Sequence, residues 1–213
     1  MKISMYFIAL LKIMFRPKEI KHKQSDGRPA QTIKDDDDDD NDNKLGTVSQ
    51  PLTAAMLSRH CTDPDTAIMD VGCGTGLVGH FLQQVGFNTY DGTDISPDMM
   101  EHARSRGYRN LIPLDVGHPI SVDDESYDAT VCVGVFTHGH LGPEGFDELL
   151  RITRPGGLIC FTVNEGVWDV ANFPQAIQAH TDAGAWQIVE QIKQDYMVRE
   201  NVAAWYLTVR KSG

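Results

Sequence analysis

A group of glycines next to one carboxylate stands in the first half of the chain, in the segment Asp70-Val-Gly-Cys-Gly-Thr-Gly76. The apolar residues before it predict a buried strand, and the residues after it predict a helix, so the glycines lie at a strand-to-helix turn. In an open α/β sheet, this turn is where cofactors bind. Glycine suits the turn because a Cβ would hold a ligand away from the backbone.

The spacing of the glycines and the carboxylate distinguish this turn from a dinucleotide site. The pattern is G-x-G-x-G, and Leu77 stands where the dinucleotide fingerprint G-x-G-x-x-G needs its last glycine. Asp70 would also repel a pyrophosphate docked at the helix N-terminus. A carboxylate here suits a ligand that has a cationic amine and no phosphate. S-adenosylmethionine, which carries an ammonium and a sulfonium group, has that chemistry.

Two further carboxylates end the next two predicted strands. Asp94 follows Gly76 by eighteen residues, where a carboxylate accepts hydrogen bonds from both ribose hydroxyls of a nucleoside. Alternatively, Asp94 only favours the start of the following helix, since Ser96-Pro97 is a typical helix start. Asp115 is placed to accept a hydrogen bond from an adenine amino group, or is one of the Asp residues common where strands turn into loops.

Strands and helices alternate along residues 46–213. Strands are predicted at 67–71, 88–95, 110–116, 127–133, 158–163, 186–197 and 202–209, and helices at 51–58, 76–85, 96–107, 146–153 and 173–183. This alternation predicts parallel strands with crossover helices on both faces of one sheet. The last two strands follow each other closely and are expected to form a hairpin.

Three segments together resemble the motifs of class I S-adenosylmethionine-dependent methyltransferases, in order and near the usual distances. They are Asp70–Gly76, Asp94–Met99 and Leu150–Leu158. Each motif alone is weak evidence, but the combination is specific. The resemblance implies an α/β, Rossmann-like, doubly wound sheet of seven strands in the order three-two-one-four-five-seven-six, with strand seven antiparallel. It also implies S-adenosyl-L-methionine as the cofactor.

The resemblance further implies which residues contact the cofactor. They are Asp70, Gly72, Gly74, Gly76, Asp94, Ile95, Met99, Asp115 and Val116. Other segments (Gly92–Met100, Tyr127–Gly134 and Pro155–Thr162) resemble one subgroup of the family, over residues 47–200. Members of that subgroup usually begin with a Tyr/Trp-rich helical segment that folds over the cofactor, and an acidic run with a basic, apolar leader stands in its place here.

The loop after the fourth strand, Gly134–Leu141, is where a methyl acceptor is expected. His138 and His140 are weak catalytic candidates, since histidine titrates near neutral pH, and the alternative is that they are surface residues without a catalytic role. No third ligand accompanies them, so no metal is predicted. Phe136 either contacts the acceptor or closes the core, and Asn164-Glu165 after the fifth strand could line the same pocket.

The net charge of −11 divides unevenly along the 213 residues. Residues 1–45 contain nine Lys/Arg and nine Asp/Glu, whereas residues 46–213 contain ten Lys/Arg and twenty-one Asp/Glu. An acidic domain is poorly suited to a phosphate backbone, so the charge argues against a nucleic-acid acceptor. The run Asp35–Asp40 predicts a solvated acidic linker, and residues 1–45 are interpreted as a disordered or misannotated leader before a methyltransferase domain at 46–213.

Apolar stretches are too short for a transmembrane helix, and a cytoplasmic location is expected. The alternative is a secretory or targeting leader at residues 1–15.

The sequence therefore predicts in-line methyl transfer from S-adenosylmethionine to a small molecule or a protein side chain. The alternative is a non-catalytic cofactor-binding or regulatory relative that lacks the N-terminal lid. A nicotinamide oxidoreductase is disfavoured by Leu77, by Asp70 and by the absence of a Tyr-x-x-x-Lys pair. The acceptor, the use of a general base and the oligomeric state stay open.

Overall fold

A computed structural model of the protein describes residues 48–114 and 118–213. The helices are α1 (Ser49–His60), α2 (Leu77–Val85), α3 (Pro97–Ala103, continued by a 3₁₀ turn at Arg104–Arg106), α4 (Gly145–Ile152), α5 (Glu165–Trp168) and α6 (Phe173–Asp182). The strands are β1 (Ile68–Val71), β2 (Tyr90–Asp94), β3 (Leu111–Pro113), β4 (Tyr127–Phe136), β5 (Thr153–Asn164), β6 (Trp186–Met197) and β7 (Val202–Lys211). The predicted leader and its boundary at residue 46 lie outside the described residues.

The seven strands form one sheet in the order β3-β2-β1-β4-β5-β7-β6. Strands β1 to β5 pair in parallel, and β7 is antiparallel to both β5 and β6. The predicted fold class, strand order and terminal hairpin are therefore confirmed. The direction of winding reverses between β1 and β4, and in sheets of this kind ligands bind at the carboxyl ends of the strands beside that point.

Apolar side chains cover both faces of the sheet, because successive residues of a strand point to opposite sides. In β1, Met69 and Val71 belong to the cluster that contains Phe146, on α4, whereas Ile68 joins the opposite cluster with Leu82 of α2. Asp70 stands in phase with Ile68, so its side chain belongs to the face covered by α2. The strand pattern thus delivers a carboxylate to the buried side of the glycine turn.

Helix α2 ends, and helix α3 begins, where the sequence predicts. Gly86 adopts a left-handed conformation (φ +106°) and closes α2 by donating to the carbonyls of its last turn. Ser96 caps α3 by accepting a hydrogen bond from the backbone N–H of Met99, and Pro97 occupies the first turn. Both ends match the predicted elements.

Strand β5 begins five residues earlier than predicted, so the prediction that Pro155-Gly156-Gly157 separates a helix from a strand is wrong. Thr153 already pairs with Tyr127 of β4, and the next registered pair is Leu158 with Ala129. The register shift absorbs the extra residues as an irregularity in the strand, which is where proline and glycine are tolerated in a sheet. The sequence reading missed this because the interval looks like a plain turn.

Two other elements differ from expectation. Strand β3 covers Leu111–Pro113, whereas the predicted strand began at residue 110 and ran to residues outside the described ones, and β3 pairs with β2 at the sheet edge. Helix α5 was not predicted at all. It is a single turn whose start is fixed by the Asn164 side chain, which accepts a hydrogen bond from the backbone N–H of Gly166 at 2.8 Å. Four residues are too few for a helical periodicity to be recognised.

A buried carboxylate joins two strands and the segment that leads into β3. Asp91 of β2 accepts hydrogen bonds from Arg109 Nε (3.0 Å) and Nη2 (2.6 Å), Asn110 N (3.1 Å) and Nδ2 (3.0 Å), and Tyr127 Oη (2.9 Å). Burial alone would raise the pKa of Asp91, but these hydrogen bonds outweigh it and lower the pKa. Asp91 is therefore held as an anion that links β2 to β4 and to the segment leading into β3.

None of the helices in the described ranges is both long and apolar enough to cross a membrane.

Candidate cofactor site

The glycine turn joins β1 to α2 with three left-handed residues. Gly72, Gly74 and Gly76 have φ values of +73°, +51° and +92°, a region that residues with a Cβ rarely adopt. A Cβ on Gly72 would strike Val135 of β4, and a Cβ on Gly76 would lie 2.8 Å from the Tyr108 ring. Packing within the protein therefore requires two of these glycines.

Gly74 differs from the two glycines that flank it. A Cβ there would meet only Met99 Cε, at an ordinary contact distance of 3.7 Å. Its backbone is thus the part of the turn that other atoms can approach. The prediction that Gly72, Gly74 and Gly76 contact a cofactor stays a prediction, and Gly74 is the one of the three at which the protein leaves space for a Cβ.

Asp70 lies directly beneath the turn and is fully buried. Tyr108 Oη donates a hydrogen bond of 2.5 Å to Asp70 Oδ2, while Oδ1 has no hydrogen-bond partner. In the part of the chain that the structure describes, the other buried side-chain atoms without a partner are the neutral hydroxyls of Thr53 and Thr93. Burial, reinforced by the charge of Asp94, raises the pKa of Asp70 to about 7, against the lowering effect of the Tyr108 hydrogen bond.

Tyr108 contacts the glycine turn and three elements next to it, β1, α2 and β2. Its hydroxyl accepts a hydrogen bond from the backbone N–H of Gly79 in α2 at 3.0 Å, in addition to donating to Asp70. Cβ atoms on Gly79 and Gly92 would lie 2.6 and 2.9 Å from its ring. Tyr108 was not predicted as a site residue. The signal that could have indicated it is a glycine inside α2 and another inside β2, which together leave space for a large side chain.

Asp94 ties the turn to the start of α3. Its Oδ2 accepts from the backbone N–H of Gly74 at 2.8 Å, and its Oδ1 accepts from the N–H of Ser96 at 2.9 Å. The capping of α3 belongs to Ser96, so Asp94 braces the glycine turn as well as the helix start. A carboxylate oxygen accepts more than one hydrogen bond, so both oxygens retain acceptor capacity for a ligand's hydroxyl groups.

Ile95 and Met99 complete the described part of the predicted contact set. The Ile95 side chain is 62% exposed although it follows a fully buried strand, and Met99 lies over Gly74. The structure therefore brings together Asp70, the glycine turn, Asp94, Ile95 and Met99 at the carboxyl ends of β1 and β2. Asp115 and Val116, the remaining predicted contacts, lie outside the described residues.

The histidines of the loop after β4 lie at the protein surface. His138 and His140 are both exposed, and the His138 ring lies against Gly166 at the start of α5. Among residues 48–114 and 118–213, no three His, Cys, Asp or Glu side chains come close enough to hold a metal ion.

Other residues proposed for the acceptor side have structural partners. Phe136 is buried and packs edge-to-face against Phe146, Phe161 and Phe173, so it closes the core. Glu165 accepts a hydrogen bond from the backbone N–H of Ala203 at 2.8 Å and forms an ion pair with Lys193. These contacts hold Glu165 between α5 and the terminal hairpin.

The residues present fit S-adenosylmethionine. A buried carboxylate with one unpartnered oxygen suits the compensation of an ammonium charge, and Asp94 suits ribose hydroxyls. The open face of Gly74 and the exposed Ile95 suit close approach by a ligand with a flat apolar ring. A dinucleotide fits less well, because its pyrophosphate would approach the same carboxylate.

Comparisons with known proteins agree with this fit. A family model described as a methyltransferase domain matches residues 69–161. Human methyltransferase-like protein 27 is 35% identical over 126 residues, which cover 56% of this chain and 51% of that protein. The chain thus spans about half the length of this curated relative. The subgroup indicated by the sequence motifs is the one to which this relative belongs.

Solved structures show the same fold at low sequence identity. A putative S-adenosyl-L-methionine-dependent methyltransferase from Methanococcus maripaludis has a TM-score of 0.62 and 16% identity, covering 88% of this chain and 98% of that one. The [4+2]-cyclase SpnF has a TM-score of 0.59 and 16% identity, covering 76% of this chain and 81% of that one. The matched residues 69–161 contain the glycine turn, Asp94 and the strands that carry them. Over residues 69–161 the chain thus matches a methyltransferase domain, and its fold resembles that of S-adenosylmethionine-dependent methyltransferases.

Proposed function

We propose that this chain transfers a methyl group in line from S-adenosylmethionine to an atom of a small molecule or of a protein side chain. The observation that carries the proposal is Asp70, a fully buried carboxyl with an unpartnered oxygen beneath a turn whose Gly74 is open to approach. A buried charge without a partner costs folding free energy, and a bound cation would offset that cost.

The cofactor supplies an electrophilic methyl group, so the protein's part is to bind, orient and exclude water. In this proposal Asp70 compensates the ammonium charge, and Asp94 accepts hydrogen bonds from the ribose. Ile95 and Met99 cover the apolar parts. Beyond the described residues, Asp115 would accept a hydrogen bond from the adenine amino group, and Val116 would pack beside the adenine.

The acceptor would lie over the loop that follows β4. His138 or His140 would take the proton of an acceptor that must lose one, and neither is needed for an acceptor without such a proton. The acidic balance of residues 46–213 supports a small molecule or a protein over a nucleic acid, because a negative field weakens binding to a phosphate backbone. We also propose residues 46–213 as the extent of the domain.

A second candidate is a relative that binds the cofactor without methyl transfer. Ile95, one of the predicted cofactor contacts, is 62% exposed, so the described residues provide no cover over this part of the site. An uncovered site loses contact area and admits water, which weakens binding and slows transfer. The [4+2]-cyclase with this fold also illustrates that the fold alone does not determine the reaction.

The test is calorimetric titration of the full chain with S-adenosylmethionine and S-adenosylhomocysteine. We expect micromolar binding to the wild type and a loss of at least tenfold in Asp94→Ala, which removes the acceptor for Gly74 N–H and for the ribose. Asp98→Ala is the matched control, because it removes an exposed carboxylate four residues away. Absence of binding to the folded wild type contradicts the proposal.

Methyl transfer is then measured separately from binding. Radiolabelled cofactor is incubated with pools of small molecules and with protein extracts, and formation of S-adenosylhomocysteine is followed. Binding with product formation supports the enzyme. Binding without product formation in any pool favours the second candidate.

A further inference from the structure

We propose that Tyr108 is a positioning residue of the cofactor site: its hydroxyl fixes one oxygen of Asp70 and keeps this carboxyl in the anionic form that a cationic ligand requires. The inference rests on the proposed function, since it concerns affinity for a ligand that carries an ammonium group.

The first support is the geometry of the hydroxyl. Tyr108 Oη accepts the N–H of Gly79 at 3.0 Å and donates to Asp70 Oδ2 at 2.5 Å. The N–H of Gly79 thereby directs the hydroxyl proton toward the carboxylate. With Oδ2 engaged, Oδ1 is the oxygen left without a partner, so the bond also determines which part of the carboxylate can meet a ligand.

The second support is the space made for the ring. Gly76, Gly79 and Gly92 belong to the turn, to α2 and to β2, and a Cβ on any of them would lie within 2.8, 2.6 or 2.9 Å of Tyr108. The edge-to-face contact with Tyr90, at 5.0 Å between ring centroids, holds the other side. The ring is thus clamped by four positions, and the hydroxyl cannot leave Asp70 without disturbing the turn.

The third support is the set of groups that act on the charge of Asp70. They are the Tyr108 hydroxyl, Asp94, and the thiols of Cys73 in the turn and Cys132 in β4. Burial raises the pKa of both thiols, so they stay neutral, and Asp94 disfavours a second anion. The hydrogen bond from Tyr108 is the contribution that favours the anion.

The consequence is a site whose ligand affinity follows the ionisation of Asp70. Burial raises the pKa of Asp70 to about 7, and without the phenol the pKa would be higher still. Apparent affinity scales with the fraction of protein in the binding-competent form. Tyr108→Phe should therefore weaken binding most at low pH and least at high pH.

The experiment titrates S-adenosylhomocysteine, a stable ligand that keeps the ammonium group, onto wild type and Tyr108→Phe between pH 6 and pH 8.5. We expect a loss of about fivefold at pH 7 that shrinks to less than twofold at pH 8.5, if the ionisation of Asp70 moves up by about one pH unit. The ligand's own amine titrates identically against both proteins, so the difference between them reports on the protein.

The matched control is Tyr90→Phe, which also removes a buried phenol. The Tyr90 hydroxyl donates to the Arg106 carbonyl at 2.9 Å and does not contact Asp70. This variant should lower stability without changing the pH dependence of binding. An equal loss of affinity at every pH in Tyr108→Phe would overturn the proposal and leave Tyr108 with a packing role.

A second readout does not depend on ligand binding. The carboxylic-acid infrared band that disappears in Asp70→Asn reports the protonation of Asp70 in the ligand-free protein, and its midpoint should move to higher pH in Tyr108→Phe. An unchanged midpoint overturns the proposal, even where the wild type binds no cofactor and the proposed function itself fails. Should Tyr108→Phe not fold, 3-fluorotyrosine at position 108, a stronger donor, should move the midpoint to lower pH, and an unmoved midpoint has the same meaning.

Discussion

Two buried carboxylates on neighbouring strands have opposite environments. Asp91 of β2 stands beside Met69 in the sheet register, and Asp70 of β1 stands beside Gly92, so the two are one residue apart along the paired strands. Asp91 accepts five hydrogen bonds, two of them from the guanidinium of Arg109. Asp70 accepts one, from Tyr108, and keeps an unpartnered oxygen.

The difference separates a carboxylate that supports the fold from one that is prepared for a ligand. Hydrogen-bond donors lower the pKa of Asp91, so its negative charge stabilises the folded state at neutral pH. Burial raises the pKa of Asp70 to about 7, so ionisation of Asp70 lowers the stability of the folded state. Groups that destabilise the folded state are often found at functional sites. The contrast with Asp91 therefore supports the proposal that the glycine turn above Asp70 is the cofactor site.

The largest expected effect concerns the stability cost of Asp70. Its pKa is raised on folding, so the contribution of Asp70 to wild-type stability is most favourable below pH 4, declines as the pH rises toward 7, and is level above that. Asp70→Asn lacks this decline, and its unfolding free energy relative to wild type should improve by about 4 kcal/mol between pH 4 and pH 8. Urea denaturation at several pH values measures this, and parallel curves for the two proteins would contradict the contrast.

A smaller effect, in the opposite direction, is expected at Asp91. Asp91→Ala leaves the buried Tyr127 hydroxyl and the Asn110 donors without an acceptor, and should lower the unfolding free energy by about 3 kcal/mol. Urea denaturation at pH 7 measures the loss, with the exposed Asp98→Ala as control. Affinity for S-adenosylhomocysteine should change less than twofold below the unfolding transition. A larger loss of affinity would place Asp91 in the site.

The same contrast extends to the glycines of the turn. Gly72→Ala places a Cβ against the stiff Val135 side chain at a φ of +73°, and should lower the unfolding free energy by about 2 kcal/mol. Gly74→Ala meets only Met99, so it should lower stability by about 1 kcal/mol while weakening cofactor binding about tenfold. Thermal denaturation and calorimetric titration compare the two, and equal affinities would show that Gly74 does not face the ligand.

The smallest effect is expected at the loop histidines. His138 and His140 are exposed, so replacement of either by alanine should change the unfolding free energy by less than about 0.5 kcal/mol. Once an acceptor is found, the pH dependence of the methyl-transfer rate tests their proposed role. A rate profile unchanged in both variants would remove them as bases.

Much of the fold could be predicted because its signals are local. Alternating apolar runs predicted the elements, and the predicted start of a helix at Ser96-Pro97 and the predicted end of another at residue 85 agree with the structure. The irregular start of β5 could not be predicted, because it depends on a register shift against β4, a strand whose pairing the local sequence does not report.

The motif residues of the site were predicted from the sequence, whereas the residue that contacts and positions them was not. Asp70, Gly74 and Asp94 were found from type and spacing, and the structure brings them together. Tyr108 stands thirty-eight residues from its partner Asp70, and only the fold brings the two into contact. The sequence likewise did not indicate that Gly76 also makes room for the Tyr108 ring.

The central claim, that the charge of Asp70 serves a cationic ligand, is tested most directly by titrating S-adenosylhomocysteine onto wild type, Asp70→Asn and the control Asp98→Asn at pH 6 and pH 8. Each titration is run in buffers of different ionisation enthalpy, so that protons released on binding are counted. We expect the wild type and Asp98→Asn to release a proton at pH 6, and Asp70→Asn to release none and to bind at least tenfold more weakly at pH 8. Equal affinity and equal proton release in Asp70→Asn and wild type would contradict the claim.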